Sequence, residues 1–308
     1  MPLPDRELVV GTRGSALARW QADHVVDRLR ARHPGLRCRT EIVSTHGDRV
    51  ADRPLPEIGG QGVFAEELER GLAERRIDLA VHSLKDLPVR PTPGLEVAAI
   101  LSRADVRDVL VDRVGRGLDS LPAGAVVGSS SLRRQAQLLA RRPDLEVRPI
   151  RGNVETRVAK VDSGEYDATV LAAAGLQRLG LEGRITEFLP IDVMLPAPGQ
   201  GALAVQCRSD APEVTELLSG LDERDVRLAV ECERAFLQHL GGGCSTPVGA
   251  LAFVDAGDRT TVRLRGIVAS PDGASQIRVS GEGADADELG RELAREALAR
   301  GAGRLLGG

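Results

Sequence analysis

Aromatic side chains are nearly absent: four phenylalanines, one tryptophan and one tyrosine in 308 residues. Proteins that hold single-stranded nucleic acid stack its bases on such rings, so this chain has little from which to build that platform. A strong charge of one sign is missing too. The formal net charge of −4 argues against a general binder of polyanions, and no nucleic-acid partner is expected. No apolar run approaches the roughly 20 residues that a membrane-spanning helix needs. The longest, such as ATVLAAAGL at 168–176, are strand-sized. The opening MPLPDRELVVGTRGS lacks a basic stretch followed by a long apolar one, which makes a cytoplasmic protein the expectation. Cys38, Cys207, Cys232 and Cys244 show no CxxC spacing, so neither a disulfide framework nor a zinc site is indicated, and no metal is expected. Lysine is scarce as well: only Lys85 and Lys160 stand among 41 basic side chains, so each stands out.

What is present is an ordinary globular balance, 42% hydrophobic and 28% charged, in a chain too long for one core. Two or three domains are expected. The first three quarters alternate strand-like and helix-like runs. ELVVG (7–11) leads through GTRGS into ALARWQADHVVDRLRARH, which carries helical spacing and stops at Pro34-Gly35. CRTEIVST (38–45) reads as a strand, VFAEELERGLAERR (63–76) as an amphipathic helix and IDLAVHSL (77–84) as a buried strand. A second unit repeats this order: AVVG (125–128), a serine-rich cap, the helix LRRQAQLLARR, then EVRPI, RGNVETRVAKVDSG and DATVLAAAGL. Such alternation predicts α/β domains with largely parallel sheets. LPAPGQGALAVQC (195–207) looks like a return crossing. From about Asp222, a helix, a glycine-rich loop, strands and a closing helix over 284–303 indicate an α+β unit.

Ligands of parallel sheets collect where strands run into helices. One such junction, Gly11-Thr12-Arg13-Gly14-Ser15, pairs small residues and an arginine with a helix N-terminus, a place that favours anions. At Gly128-Ser129-Ser130-Ser131-Leu132-Arg133-Arg134, two arginines occupy the first helical turn. Cations there oppose the helix dipole, so an anion is expected to compensate. Arg151-Gly152-Asn153, with Arg157 beyond it, repeats the pattern. One such arginine alone reads as a solvated surface charge; three junctions together point to a ligand with carboxylates or phosphates. No GxxxxGK[ST] loop supports a nucleotide triphosphate. In HSLKDLP (82–88), Asp86 is either a turn residue before Pro88 or a charge that stabilises a cation, and Lys85 is open to a Schiff-base role. Cys244, in GGGCSTPVG, sits in a glycine-rich loop where its sulfur is accessible. It reads as a covalent anchor more than as a nucleophile, because only His239 is near it in sequence. Cys207 and Cys232 fit buried packing roles.

GTRGSALARWQA, VHSLKDLP, VGSSSLRRQAQL, RGNVETR, AAAGLQRLGL, LPAPGQGA and ERAFLQHLGGGCSTPVG occur in this order along nearly the whole chain. In these motifs the sequence resembles the porphobilinogen deaminase (hydroxymethylbilane synthase) family. The resemblance implies two periplasmic-binding-protein-like α/β domains joined by a double crossover, plus a C-terminal α+β domain. Residues 1–101 with 202–219, 106–196, and 222–308 would form the three. It implies an enzyme of tetrapyrrole (heme) biosynthesis, a monomer whose small-molecule substrate is porphobilinogen. Four porphobilinogen units would be joined head to tail with loss of ammonia, on a dipyrromethane cofactor held by a thioether at Cys244. Asp86 matches the family's catalytic aspartate, which would hold pyrrole N–H groups and stabilise the azafulvene-like cation. Ser83, Lys85, Ser131, Arg133 and Arg134 would hold the cofactor. Arg13, Ser15, Phe64, Arg151, Arg157, Arg178 and Gln200 would line the route of the substrate.

The family pattern is not met everywhere. Glu57 and Gln61 stand where relatives often carry basic residues, and Thr45-His46-Gly47-Asp48 replaces a more basic motif, which leaves the role of that loop open. Domain motion about 102–106 and 196–201 is a further expectation. The rival reading is a non-enzymatic binding protein for a polycarboxylate or phosphorylated metabolite, which two α/β domains with arginine-rich mouths would also suit.

Overall fold

The structure, a computed structural model, describes residues 7–44, 65–243, 246–255 and 257–306. Four strands come first: β1 (Leu8–Thr12), β2 (Cys38–Ile42), β3 (Leu79–Ser83) and β4 (Leu95–Ile100). Helix α1 (Ala16–Arg32) follows β1, and α2 (Glu66–Ala73) precedes β3. Next come β5 (Asp108–Asp112), β6 (Val126–Gly128), β7 (Glu146–Arg148), β8 (Ala168–Ala172) and β9 (Glu187–Phe188). Helices α3 (Leu132–Arg141), α4 (Val154–Asp162) and α5 (Ala173–Arg178) are interleaved with them. The chain continues through β10 (Leu203–Arg208), α6 (Pro212–Ser219) and α7 (Arg224–His239). It ends with β11 (Val248–Val254), β12 (Val262–Ala269), β13 (Gln276–Gly283), α8 (Ala286–Ala299) and α9 (Ala302–Leu305).

Two compact units result, 1–103 with 202–227 and 104–201 with 228–308. The chain passes between them after Arg103, after Gly201 and after Arg227. Each unit holds a five-stranded sheet, in the orders β2-β1-β3-β10-β4 and β7-β6-β8-β5-β9. The sequence predicted largely parallel sheets; both are mixed. Each has two parallel and two antiparallel pairings, because its fourth strand runs against both neighbours. That fourth strand, β10 or β5, is the one laid down just after the chain enters from the other unit. A local pattern of alternating strands and helices cannot show the direction of a strand that arrives by a crossover.

In the first unit, α1 lays Ala22, Val25, Val26 and Leu29 on a sheet face made by Leu8, Val10, Leu79, Val81 and Val205. Each of the valines and leucines contributes about 1.5–3 kcal/mol by leaving water. The helix starts at Ser15, whose extended backbone lets its Oγ accept from the Ala18 N–H at 3.2 Å. A Cβ at Gly11 would lie 2.3 Å from Ile77 Cδ1, so any larger residue there would displace the buried Ile77 side chain. At the matching strand of the second unit, a Cβ on Gly128 would lie 2.8 Å from Ile150 Cδ1.

The apolar run DATVLAAAGL does not stay extended. Strand β8 ends at Ala172, where its pairing with β5 ends at Asp108, and α5 begins at Ala173. Alanines lose little entropy in a helix and take that form once no strand is left to pair with. The C-terminal part is α+β as expected. Its antiparallel sheet, β11-β12-β13, is covered by Leu289, Leu293, Ala294 and Ala297 of α8.

Candidate active site

In the first unit, β3 is buried until Ser83, and Leu84–Asp86 then forms one turn of 3-10 helix. The Leu84 N–H donates to the Ala202 carbonyl at 3.1 Å, and the Leu84 and Leu87 side chains are both buried. These apolar anchors on either side turn Lys85 and Asp86 outward, Lys85 half-buried and Asp86 exposed. Among the described residues no donor engages the Asp86 carboxylate. Asp86, Ser83 and Arg13 line one cavity of about 30 Å³, together with Gln21 and His82. That volume takes a water or two, not an aromatic ring. The Ser83 Oγ accepts from Gln21 Nε2 at 2.9 Å. Thr12, beside Arg13, donates from Oγ1 to the Ala18 carbonyl at 2.9 Å and so ties the arginine-bearing loop to α1. The structure thus brings Arg13, Ser83 and Asp86 together, whereas Ser15 serves as the cap of α1 and Lys85 is not in the cavity wall.

In the second unit, Ser131 caps α3, its Oγ accepting from the Arg134 N–H at 3.4 Å. Arg133 and Arg134 do not point into solvent; both are buried. The anion that two cations in a first helical turn call for is supplied by the chain itself, as Asp108. Its Oδ2 accepts from Arg133 Nη1 at 2.7 Å, and its Oδ1 accepts from Arg134 Nη2 at 2.7 Å and Nε at 3.1 Å. Burial alone would raise the Asp108 carboxyl, but the two guanidiniums outweigh it and hold the group well below the usual carboxylate range. Gln200 joins them, donating from Nε2 to Asp108 Oδ1 at 3.0 Å and to the Val106 carbonyl at 2.7 Å.

The remaining arginines of this unit are more open. Arg178 donates to the Gly201 carbonyl at 2.8 Å; burial pulls it down to about 10, which leaves it protonated at neutral pH. Arg157 donates from Nε to the Gly152 carbonyl at 2.8 Å, and Arg151 is half-buried beside it in sequence. Cys244 and Phe64 lie outside the described residues, as do Thr45-His46-Gly47-Asp48, Glu57 and Gln61. Cys38, Cys207 and Cys232 are buried, and burial raises all three thiols, Cys232 to about 12. None of these three suits the formation of a thioether, which needs a thiolate that substrate can reach.

Sequence reasoning missed Asp108, His82, Gln21 and Gln206. A signal existed for three of them: each is a polar residue in a mainly apolar strand, as in DVLVD, LAVHS and LAVQCR. Among the described residues no helix is long and apolar enough to cross a membrane.

Comparison with known proteins gives matches along most of the chain. A family model described as porphobilinogen deaminase, dipyrromethane cofactor binding domain, matches residues 8–216. Its companion, the porphobilinogen deaminase C-terminal domain, matches residues 227–299. A porphobilinogen deaminase of Brevibacillus brevis is 47% identical over 297 residues, covering 96% of both chains. Solved structures are more distant. The periplasmic VFT2 domain of Bordetella pertussis BvgS is 18% identical, with a TM-score of 0.43 over 69% of this chain and 85% of that one. The methionine binding protein MetQ is 12% identical, with a TM-score of 0.43 over 70% of this chain and 89% of that one.

Proposed function

The chain belongs to the porphobilinogen deaminase family, and from that membership we infer a transferase of tetrapyrrole biosynthesis that joins four porphobilinogen molecules head to tail into hydroxymethylbilane, releasing ammonia. A covalently bound dipyrromethane supplies the pyrrole carbon to which the first substrate is joined. The non-enzymatic binding-protein reading is not favoured.

The observation that carries the reading is the charge left over around Asp108. Two largely buried guanidiniums face one buried carboxylate, which leaves a surplus positive charge in a site with little access to water. Such a surplus is costly unless another anion balances it. Arg133 engages Asp108 and the Leu195 carbonyl through Nη1 alone, and Arg134 engages Asp108 through Nε and Nη2. The other guanidinium N–H groups of both side chains make no hydrogen bond among the described residues. A pyrrole acetate or propionate would balance the charge and accept from those groups. In this reading Arg133, Arg134 and Ser131 hold cofactor carboxylates, Ser83 and Lys85 have the same duty, and Cys244 carries the thioether. Arg13, Ser15, Phe64, Arg151, Arg157, Arg178 and Gln200 guide incoming substrate. Asp86, with no competing donor among the described residues, accepts pyrrole N–H groups and stabilises the cationic carbon left as ammonia departs. The division into 1–101 with 202–219, 106–196 and 222–308 goes with this reading, supported by the separate C-terminal sheet and the separate family model over 227–299. So do a monomeric state, a cytoplasmic location and the absence of a nucleic-acid partner.

The test is the intact mass of the purified protein before and after incubation with porphobilinogen. The expected result is an excess of two pyrrole units that maps to Cys244 and is lost in Cys244→Ala, with a ladder of further units on adding substrate. A polypeptide that stays bare in both conditions would favour the binding-protein reading.

A further inference from the structure

His82 is the least satisfied polar side chain near Asp86. It lies on β3 with its ring almost wholly buried, and its Nε2 is a buried polar atom without a hydrogen-bond partner. A second such orphan, Gln206 Oε1, belongs to the neighbouring strand. In the antiparallel register of β3 and β10, His82 is opposite Ala204 and Ala80 is opposite Gln206, so the two polar residues are diagonal neighbours on one face of the sheet. The two side chains are close enough for Gln206 to favour a proton on the ring, although neither orphan atom completes a hydrogen bond.

The other end of Gln206 is fixed. Its Nε2 donates to Glu69 Oε1 at 2.9 Å, and Glu69 Oε2 accepts from Thr92 Oγ1 at 2.9 Å. A carboxylate can only accept, so it must face the amide nitrogen, and the amide oxygen is thereby turned toward His82. An oxygen facing Nε2 requires the imidazole proton there. Nδ1 is then the bare nitrogen, and it is not among the buried orphans. Among the cavities described, the one His82 lines is that of Asp86, Ser83 and Arg13. Burial first, then the Arg13 charge, oppose a second proton on the ring.

We propose that Glu69, Gln206 and His82 form a buried relay that fixes the histidine tautomer and presents its Nδ1 as a neutral acceptor in the cavity beside Asp86. The cavity takes a water or two, room for a small N–H or O–H donor, so His82 is a positioning residue that orients such a group against the aspartate. This rests on the family reading only for what the aspartate does; the tautomer itself stands on the geometry of the first unit.

The test is nitrogen NMR of the cofactor-loaded full chain labelled in its histidine rings, with His82→Gln assigning the His82 signals. The expected result is a neutral His82 between pH 6 and 8, protonated at Nε2 and bare at Nδ1. Glu69→Gln is nearly isosteric and lets the Gln206 amide turn over. It should mix or reverse the tautomer and lower kcat about tenfold, with KM for porphobilinogen changed by less than twofold. A wild-type His82 that titrates above pH 6, or a Glu69→Gln variant with the tautomer unchanged, overturns the relay. A kcat loss in Glu69→Gln without a tautomer change would mark Glu69 as structural only and likewise overturn it. The same samples, treated with Ehrlich's reagent, report on the family reading separately. Wild-type protein that gives no pyrrole colour and no turnover defeats that reading, while the ring signals still decide the tautomer.

Discussion

The two α/β units share one sheet topology and treat a buried polar group in opposite ways. In each, the reversed fourth strand carries that group: Gln206 on β10 and Asp108 on β5. Asp108 is saturated, with two arginines and a glutamine donating to it from within the chain. Gln206 is satisfied only at its nitrogen, and the histidine it faces keeps an orphan nitrogen. The second unit therefore holds a preformed cluster with surplus positive charge, suited to grip carboxylates that stay in place. The first unit holds under-satisfied acceptors beside an open aspartate, suited to groups that come and go. Binding and chemistry favour different degrees of prior satisfaction, and one topology supports both.

The contrast breaks most visibly at Asp108. Asp108→Ala leaves two buried guanidiniums without their carboxylate, and loss of one partner of a buried ion pair costs roughly 3–5 kcal/mol. Urea unfolding of the cofactor-loaded protein should show a loss of this size. A loss under about 1 kcal/mol would mean that the arginines are held by bound carboxylates and not by Asp108.

Asp86→Asn sharpens the other side of the comparison. The residue is exposed and bonds to nothing described in the chain, so its removal should hardly affect folding or bound cofactor. It takes away the charge that opposes the developing cation, an effect worth about 10²–10³ in kcat for one preorganised group. Steady-state turnover with near-normal unfolding is the expected pair of results. Turnover within threefold of wild type would remove Asp86 from the chemistry.

How much of this was legible in the chain follows the range of the interactions. The strand–helix junctions at Ser15 and Ser131 could be read because a cap and its helix are neighbours in sequence. So could the need for an anion near Arg133 and Arg134, since both sit in one helical turn. The identity of that anion could not: Asp108 reaches them from 25 residues away, on a strand whose direction is set by the crossover. His82 was visible as a polar residue in an apolar strand. Its significance depends on Gln206, more than a hundred residues later, and on the register that pairs their strands. Sequence also gave no sign that AAAGL would leave the sheet, because that depends on where β5 stops.

Acidification should separate the units again. Burial, with Arg13 adding to it, pushes His82 down to about 4, against about 6.5 in an unfolded chain. The unfolded state then binds the proton first as pH falls, so this contribution is intact above about 6.5 and drains away toward 4. Its full size is at most about 3 kcal/mol. Asp108 acts lower on the scale. Its carboxyl is depressed, so its contribution holds above the ordinary aspartate value and is lost only in stronger acid. Urea unfolding at pH 7, 5.5 and 4.5 should show a decline that His82→Gln flattens. An equal decline in that variant would place its source elsewhere.

The smallest expected effects test whether two matching serines do matching work. Ser15 and Ser131 cap the helices that follow the matching strands β1 and β6, accepting from the Ala18 and Arg134 N–H groups. If capping is all they do, either alanine substitution should cost about 1 kcal/mol of stability and leave kcat/KM unchanged. The proposed function gives them further duties, Ser131 toward the cofactor and Ser15 toward substrate. The saturated second unit already has strong donors for carboxylates, so Ser131→Ala should keep its dipyrromethane. Ser15 is two residues from Arg13, which lines the water-sized cavity beside Asp86. Its removal should therefore raise KM for porphobilinogen a few-fold beyond any change in stability. Equal kinetic effects from the two substitutions would collapse the distinction between a unit that holds and a unit that processes.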